Sequence, residues 1–345
     1  MRSLSGLADR RKKPSQVGKI TTSLALALVL LIAACLGSLA FGSVAIPFDT
    51  LADMLFDHAP STTETVLVET LRAPRTMLGL LVGAGLGGAG ALMQTLTRNP
   101  LADPGLLGVN AGAAALVITG IYFFGVTSLE AEMILAFAGA GAAMLVVYGV
   151  GTAVAGPSGS PLPLLLAGIA VTAALGGLST VMLLNDPTTF DAIRQWSAGS
   201  LSTNGFAVPV AAALPTAAGL ALALIAARDL NALSLGDESA SGLGVDVARF
   251  RVIIFMAVAL LCGTATAAVG PIGFIGLMAP HLVRMIVGPD ERLVLILSML
   301  IAPSVLLISD IVGRLLLWPA EIQVGIVTAF IGAPVLIVLA CRRLA

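Results

Sequence analysis

The sequence predicts an all-α, polytopic membrane protein with ten transmembrane helices. Of its 345 residues, 58% are hydrophobic and only 11% charged, where a soluble domain carries about 25% charged residues. Mean hydropathy is +1.03. The few charges are also clustered, which leaves long stretches with none. So little charge cannot cover a water-facing surface, and the solvent for most of the chain is lipid. A formal net charge of −1 gives no attraction to nucleic acid.

A spanning helix needs about 20 apolar residues to cross about 30 Å of hydrocarbon. Stretches free of Asp, Glu, Lys and Arg cover 20–48, 76–97, 104–129, 133–185, 195–227, 252–283, 293–309 and 322–341. The run 133–185 divides at GPSGSP, residues 156–161, a turn composition. The run 252–283 is longer than one crossing and shorter than two, and Gly270 and Pro271 favour a break there. The positive-inside rule decides for two crossings. With two, only Arg72, Arg75, Arg194 and Arg314 of the 18 basic residues fall outside. With one, Arg284, Arg292, Arg342 and Arg343 move outside and Arg314 moves inside.

The expected spans are 20–44, 72–97, 104–127, 132–155, 162–185, 206–227, 250–270, 272–288, 293–313 and 322–341. A cytoplasmic tail at 1–19, holding Arg10, Arg11, Lys12, Lys13 and Lys19, precedes them. The first span is too long for a signal-peptide core and reads as uncleaved. Residues 20–341 form a single transmembrane domain with both termini inside. The largest cytoplasmic loop is 228–249.

Small residues recur every four positions in three spans: Gly79, Gly83, Gly87 and Ala91; Gly168, Thr172 and Gly176; Gly325, Ala329 and Ala333. Lipid is as apolar as leucine, so close backbone approach along such faces is what joins membrane helices.

Much chemistry is missing. There is no Walker A loop; Gly18-Lys19-Ile20 lacks the hydroxyl residue. LSLGD at 233–237 faintly resembles an ATPase signature, but has no P-loop beside it. Cys35, Cys262 and Cys341 lack metal or disulfide spacing, and His58 and His281 are far apart. No catalytic, cofactor-binding or metal-binding residue is expected, and no cofactor. Asp310 and Arg314 share a helix face at i,i+4 and read as a neutralised pair. A pore without an intramembrane coupling group needs an external motor.

Four blocks resemble the FecCD/BtuC-type permeases, the transmembrane subunits of type II ABC importers. They are LRAPRTMLGLLVGAGLGGAGALMQTLTRNPLADPGLLGVNAGA at 71–113, GPIGFIGLMAPHLVR at 270–284, DIVGRLL at 310–316 and GIVTAFIGAPVLIVL at 325–339. Residues 90–113 look most like ferric enterobactin permeases. The resemblance implies ten spans in a type II importer permease fold and no enzymatic activity of the chain's own. It implies a second permease subunit, two ATP-binding subunits on the cytoplasmic face, and a binding protein outside that delivers ferric siderophore, cobalamin or haem. A heterodimer of related permeases is favoured. The resemblance also makes Leu235, Gly236, Asp237, Glu238, Ala240, Leu243 and Gly244 the loop that docks on the ATPase, and Arg72 and Arg314 the outer arginines that meet glutamates of the binding protein. Arg75 stands beside them. RNPLADP, ending at Pro104, reads as structural, with Asp103 capping the helix that follows.

Overall fold

The computed structural model describes residues 16–42, 44, 46–55, 63–155 and 162–344. Arg10, Arg11, Lys12, Lys13, His58 and the turn expected at 156–161 lie outside the described residues. Helix makes up 83% of the described residues, and there is no strand among them.

In chain order the helices are α1 (Gln16–Ala40), α2 (Phe48–Leu55), α3 (Thr63–Leu67), α4 (Ala73–Thr97), α5 (Val109–Phe124), α6 (Leu129–Ala155), α7 (Leu162–Asn185), α8 (Pro187–Ser197), α9 (Ala207–Ala226), α10 (Leu230–Ser234), α11 (Asp237–Gly242), α12 (Val247–Val269), α13 (Ile275–Val287), α14 (Glu291–Leu316) and α15 (Val324–Leu344). A π-helical turn, Val68–Arg72, joins α3 to α4, and a 3-10 turn, Pro104–Leu107, precedes α5.

Among the described residues seven helical stretches are long and apolar enough to cross a bilayer: Ile20–Ala40, Thr63–Thr97, Leu129–Val154, Leu162–Asn185, Ala207–Ala226, Val247–Val269 and Glu291–Leu316. Three shorter apolar helices, Val109–Phe124, Ile275–Val287 and Val324–Ile337, stand where the other three spans are expected. Length alone does not make these three spanning. The 13 residues of α13 give about 20 Å of helix, less than the hydrocarbon thickness.

The breaks have local causes. Gly270, at φ +76°, ends α12, and Phe274, at φ +69°, opens α13. Asp103 caps the 3-10 turn through a 2.7 Å bond from the Gly105 amide to Oδ1, with Pro104 as the first residue inside. The cap is the one expected, but it serves a single turn that leads into α5. That turn folds back along the bundle. A Cβ on Gly90 would meet the Gly276 carbonyl at 1.8 Å, and one on Gly276 would meet Pro104 at 3.1 Å. Gly90 is eight residues above Arg98, about 12 Å of helix. Irregular backbone at that depth must be enclosed by protein or face an aqueous path. Gly168 of α7 encloses one side, with the Leu106 carbonyl 2.1 Å from where its Cβ would be.

The most extensive packing joins α4 to α14. A Cβ on Gly79 would lie 2.5 Å from Leu307, one on Gly83 2.4 Å from Cα of Pro303, and one on Gly87 2.4 Å from the Ser298 carbonyl. The first small-residue stripe is therefore the seam between these two helices. The other stripes are partial. Gly325 meets the Ala198 carbonyl, while Gly176 has nothing within 4 Å.

Gly83→Ala must move backbone, and we expect it to cost about 1–3 kcal/mol, the range for overpacking. Gly177→Ala, with open space around it, is expected to be neutral or stabilising. Thermal melts of the detergent-solubilised variants check the contrast.

Candidate functional site

Two polar clusters interrupt the apolar bundle, and both are built on the α4–α14 pair.

The first lies where α1, α4 and α14 meet. Arg72 ends the π turn, Arg75 is in the first turn of α4, and Asp310 and Arg314 are in the last turns of α14. Arg72 is buried, 4% exposed. Its Nη1 donates to the carbonyls of Leu39 (2.6 Å) and Ala40 (2.8 Å), and its Nη2 to that of Val44. Gly42 admits the guanidinium, since a Cβ there would lie 3.0 Å from Nη2. Arg314 is 3% exposed. It donates to the carbonyls of Ser38 (3.1 Å) and Phe41 (2.9 Å) and pairs with Asp310 at 3.0 Å. These two arginines satisfy carbonyls in and after the last turn of α1, which helix geometry leaves without partners. Arg75 pairs with Asp310 and with Glu321, each at 2.8 Å.

Asp310 is fully buried between Arg75 and Arg314, so the i,i+4 pair legible in sequence is half of a three-residue cluster. The three arginines and Glu321 line a recess of about 200 Å³. Three guanidinium groups face two carboxylates, which leaves one positive charge in excess. Arg314 Nε and Thr203 Oγ1 are buried there without a partner. Such a recess suits an incoming carboxylate. Of the expected arginines, both Arg72 and Arg314 line it but are buried. Arg75 is the most accessible of the three, because its chain neighbours turn toward α1 while its own side chain turns toward the α14–α15 link.

The second cluster lies at the other end of α4. The loop 228–249 holds α10 and α11. Gly236 (φ +114°) precedes α11 and Gly244 (φ +87°) follows it, conformations that other residues adopt only with strain. Ala240 is fully buried and anchors α11, whereas Glu238 is exposed and Leu235 and Leu243 are 68% and 66% exposed. Two exposed leucines on a loop whose other leucines, Leu230 and Leu233, are buried mark a contact surface. Asp237 does not cap α11 through its side chain. Its Oδ2 pairs with Arg251 at 2.6 Å and its Oδ1 with Arg98.

Arg98 terminates α4 in the left-handed conformation, φ +50°, and reaches across to the loop. This partnership was not readable from RNPLADP, since nothing in the local pattern names a partner 139 residues away. Next to it, Arg284 pairs with Glu291 at 2.7 Å and with Gln94, and Thr95 donates to Glu291 at 2.8 Å. Arg284 therefore turns inward to partners. His281 is partly buried on α13. Among the described residues no group of three or more His, Cys, Asp or Glu is placed to hold a metal ion.

Between α7 and α9, Asp186 caps α8. The Thr189 and Thr188 hydroxyls hold its carboxyl down to about 2, from 3.8. The folded-state value is the lower one, so this cap is complete above pH 3.8 and is lost as pH falls through 2.

An all-helical, lipid-solvated bundle with a polar recess at one face and a two-helix loop at the other is the architecture of a membrane transport subunit. The FecCD transport family model matches residues 30–342, and the chain belongs to that family. The ferric enterobactin transport system permease FepD of Escherichia coli K12 is 46% identical over 316 residues, 92% of this chain and 94% of that protein. The hemin transport system permease HmuU of Yersinia pestis is 36% identical over 326 residues, again 92% and 94%. A solved structure described as an inward-facing ABC transporter of metal-chelate type superposes with a TM-score of 0.80 at 29% identity, covering 93% of this chain and 99% of that one. The chain is thus an ABC importer permease, a multi-pass protein of the bacterial inner membrane. It works with a partner permease, ATPase subunits and a binding protein, and the ATPase activity resides in the separate subunits.

Removing one partner of a buried ion pair costs about 3–5 kcal/mol. Asp310→Asn, which strands Arg75 and Arg314, is expected to fall in that range. Glu321→Gln breaks a half-exposed pair and should cost under about 1 kcal/mol. Equal losses in thermal stability for the two variants would contradict the geometry described for Asp310.

Proposed function

We propose that the chain carries ferric siderophore of the catecholate, enterobactin-like class across the inner membrane. The 46% identity to FepD over nearly the full length of both chains is the observation that carries this reading. In it, all ten apolar helices cross, α5, α13 and α15 included, and both termini lie in the cytoplasm. Residues 20–341 act as one domain behind a cytoplasmic tail at 1–19. The partner permease is a related but different chain.

On the outer face the binding protein docks by placing a glutamate in the recess of Arg72, Arg75 and Arg314. The excess positive charge and the unpartnered Arg314 Nε support this. Inside, Leu235, Gly236, Asp237, Glu238, Ala240, Leu243 and Gly244 form the loop that seats in the ATPase. The exposure of Leu235 and Leu243 supports that role. ATP binding and hydrolysis on the partner subunits move this loop, and the path opens alternately to each side. The cargo is large and the spans are poor in charge, so the path holds it weakly.

Cells with and without this gene, given radiolabelled iron as a catecholate complex, test the cargo. Loss of uptake on deletion, restored by the intact gene, is the expected result. Unchanged iron uptake overturns the siderophore reading, and haem uptake is then the assay to run, given the likeness to HmuU.

Arg75→Glu is expected to weaken binding of the cargo-loaded binding protein at least tenfold, a loss of about 1.4 kcal/mol, with ATPase subunits still attached. Wild-type affinity in that variant would remove the recess from the docking site. Leu235→Ser with Leu243→Ser should strip the ATPase subunits from the complex during gel filtration.

A further inference from the structure

Beside the buried Leu230, Leu233 and Ala240, polar side chains tie the loop 228–249 to the bundle at two places, and the two have different consequences. Asn231, on α10, accepts from the Glu291 amide at 2.8 Å and donates to Asp290 at 3.1 Å. This fixes α10 to the start of α14. Asp237, on α11, uses both carboxylate oxygens: Oδ2 takes Arg251 of α12 and Oδ1 takes Arg98 at the end of α4. Arg251 is 5% exposed and Asp237 19%, so water screens that pair only weakly, while Arg98 is 37% exposed.

Gly236 and Gly244 bracket α11, both in backbone conformations open mainly to glycine. α11 is thereby separate from α10 and α12, and its direction is set by what it is tied to. Ala240 gives α11 an apolar seat. Asp237 adds a directional tie, because one carboxylate bound by two guanidinium groups fixes direction as well as distance. Among the described residues, Asp237–Arg98 is the one ion pair between the loop and α4. It enters α4 at the end opposite the outer recess.

We infer that Asp237 is the positioning residue that couples α11 to α4 through Arg98, so that displacement of the loop by the ATPase moves the α4–α14 pair. The inference rests on the reading of this loop as the ATPase-docking element, and adds the route by which its movement reaches the spans. Arg251 keeps Asp237 aimed, while Arg98 receives the displacement.

The test uses the assembled importer in proteoliposomes: this chain, its partner permease, the ATPase subunits and the cargo-loaded binding protein. ATP hydrolysed per ferric catecholate imported is measured, with haem as the probe if the wild type carries haem. Asp237→Asn and Arg98→Ala are each expected to raise that ratio about tenfold, within the usual span of coupling between sites, with ATPase subunits still bound. Arg98→Lys, which keeps a cation in reach, should restore most of the coupling. A purely structural role for Asp237 would lower assembly and hydrolysis together and leave the ratio unchanged.

A wild-type ratio in both Asp237→Asn and Arg98→Ala overturns the inference. If Leu235→Ser with Leu243→Ser still releases the ATPase subunits in that case, the docking reading survives. If those leucine variants keep both ATPase subunits and uptake, the docking reading fails and the inference falls with it. Should Asp237→Asn not assemble, Arg98→Ala decides alone, since it leaves the Asp237–Arg251 pair in place.

Discussion

The structure depends on the close approach of α4 to α14. Gly79, Gly83 and Gly87 let the two backbones meet where any side chain would force them apart. In lipid there is no hydrophobic drive between helices, so this contact is held by dispersion and by backbone proximity. The pair is also the frame for both polar clusters. At one end Arg72 and Arg75 of α4 stand with Asp310 and Arg314 of α14. At the other, Gln94, Thr95 and Arg98 stand with Glu291, Arg284 and the loop.

Charge inside a bilayer is tolerated where it is paired and enclosed. Asp310 illustrates the rule with arginines on two sides, and those arginines have further work. Arg314 binds carbonyls at the end of α1, as Arg72 does beside it. The cluster thereby ties the first span to the α4–α14 pair while leaving net positive charge in the recess. Structural and recognition roles coincide in these side chains. Reversing either buried arginine disturbs α1 as well as docking, and Arg75 reports on recognition more cleanly.

Much of the fold was legible in the sequence. The expected span 162–185 is α7, and 206–227 differs from α9 by one residue at each end. Charge-free runs and glycine breaks are local signals, and Gly270 does end α12. The amphipathic α8 was not legible, because 11 residues between two spans read as a loop by hydropathy. A short α13 follows from the run 252–283, which is shorter than two crossings, but the sequence did not reveal that α5 is short and starts within the bundle.

The sites were legible by residue type and opaque in geometry. Arg72, Arg314 and the loop around Asp237 stand out by motif. That Arg72 is buried against α1, that Arg75 opens to the recess, and that Asp237 reaches Arg98 all depend on packing between distant spans. An i,i+4 pair such as Asp310–Arg314 follows from helix geometry, whereas Arg98–Asp237 follows only from the assembled bundle.

Packed this closely, α4 and α14 are expected to move as one body between the two faces. Spin labels on Leu71→Cys with Leu315→Cys, and on Thr97→Cys with Arg292→Cys, in a cysteine-free chain, report the separation of the two helices at each end. Measured in the assembled importer with and without trapped ATP, both distances should stay within about 2 Å, since packed helices shift by only 1–2 Å without repacking. A change approaching one helical turn, about 5 Å, at either end would mean that α4 and α14 slide past each other, and would contradict the account.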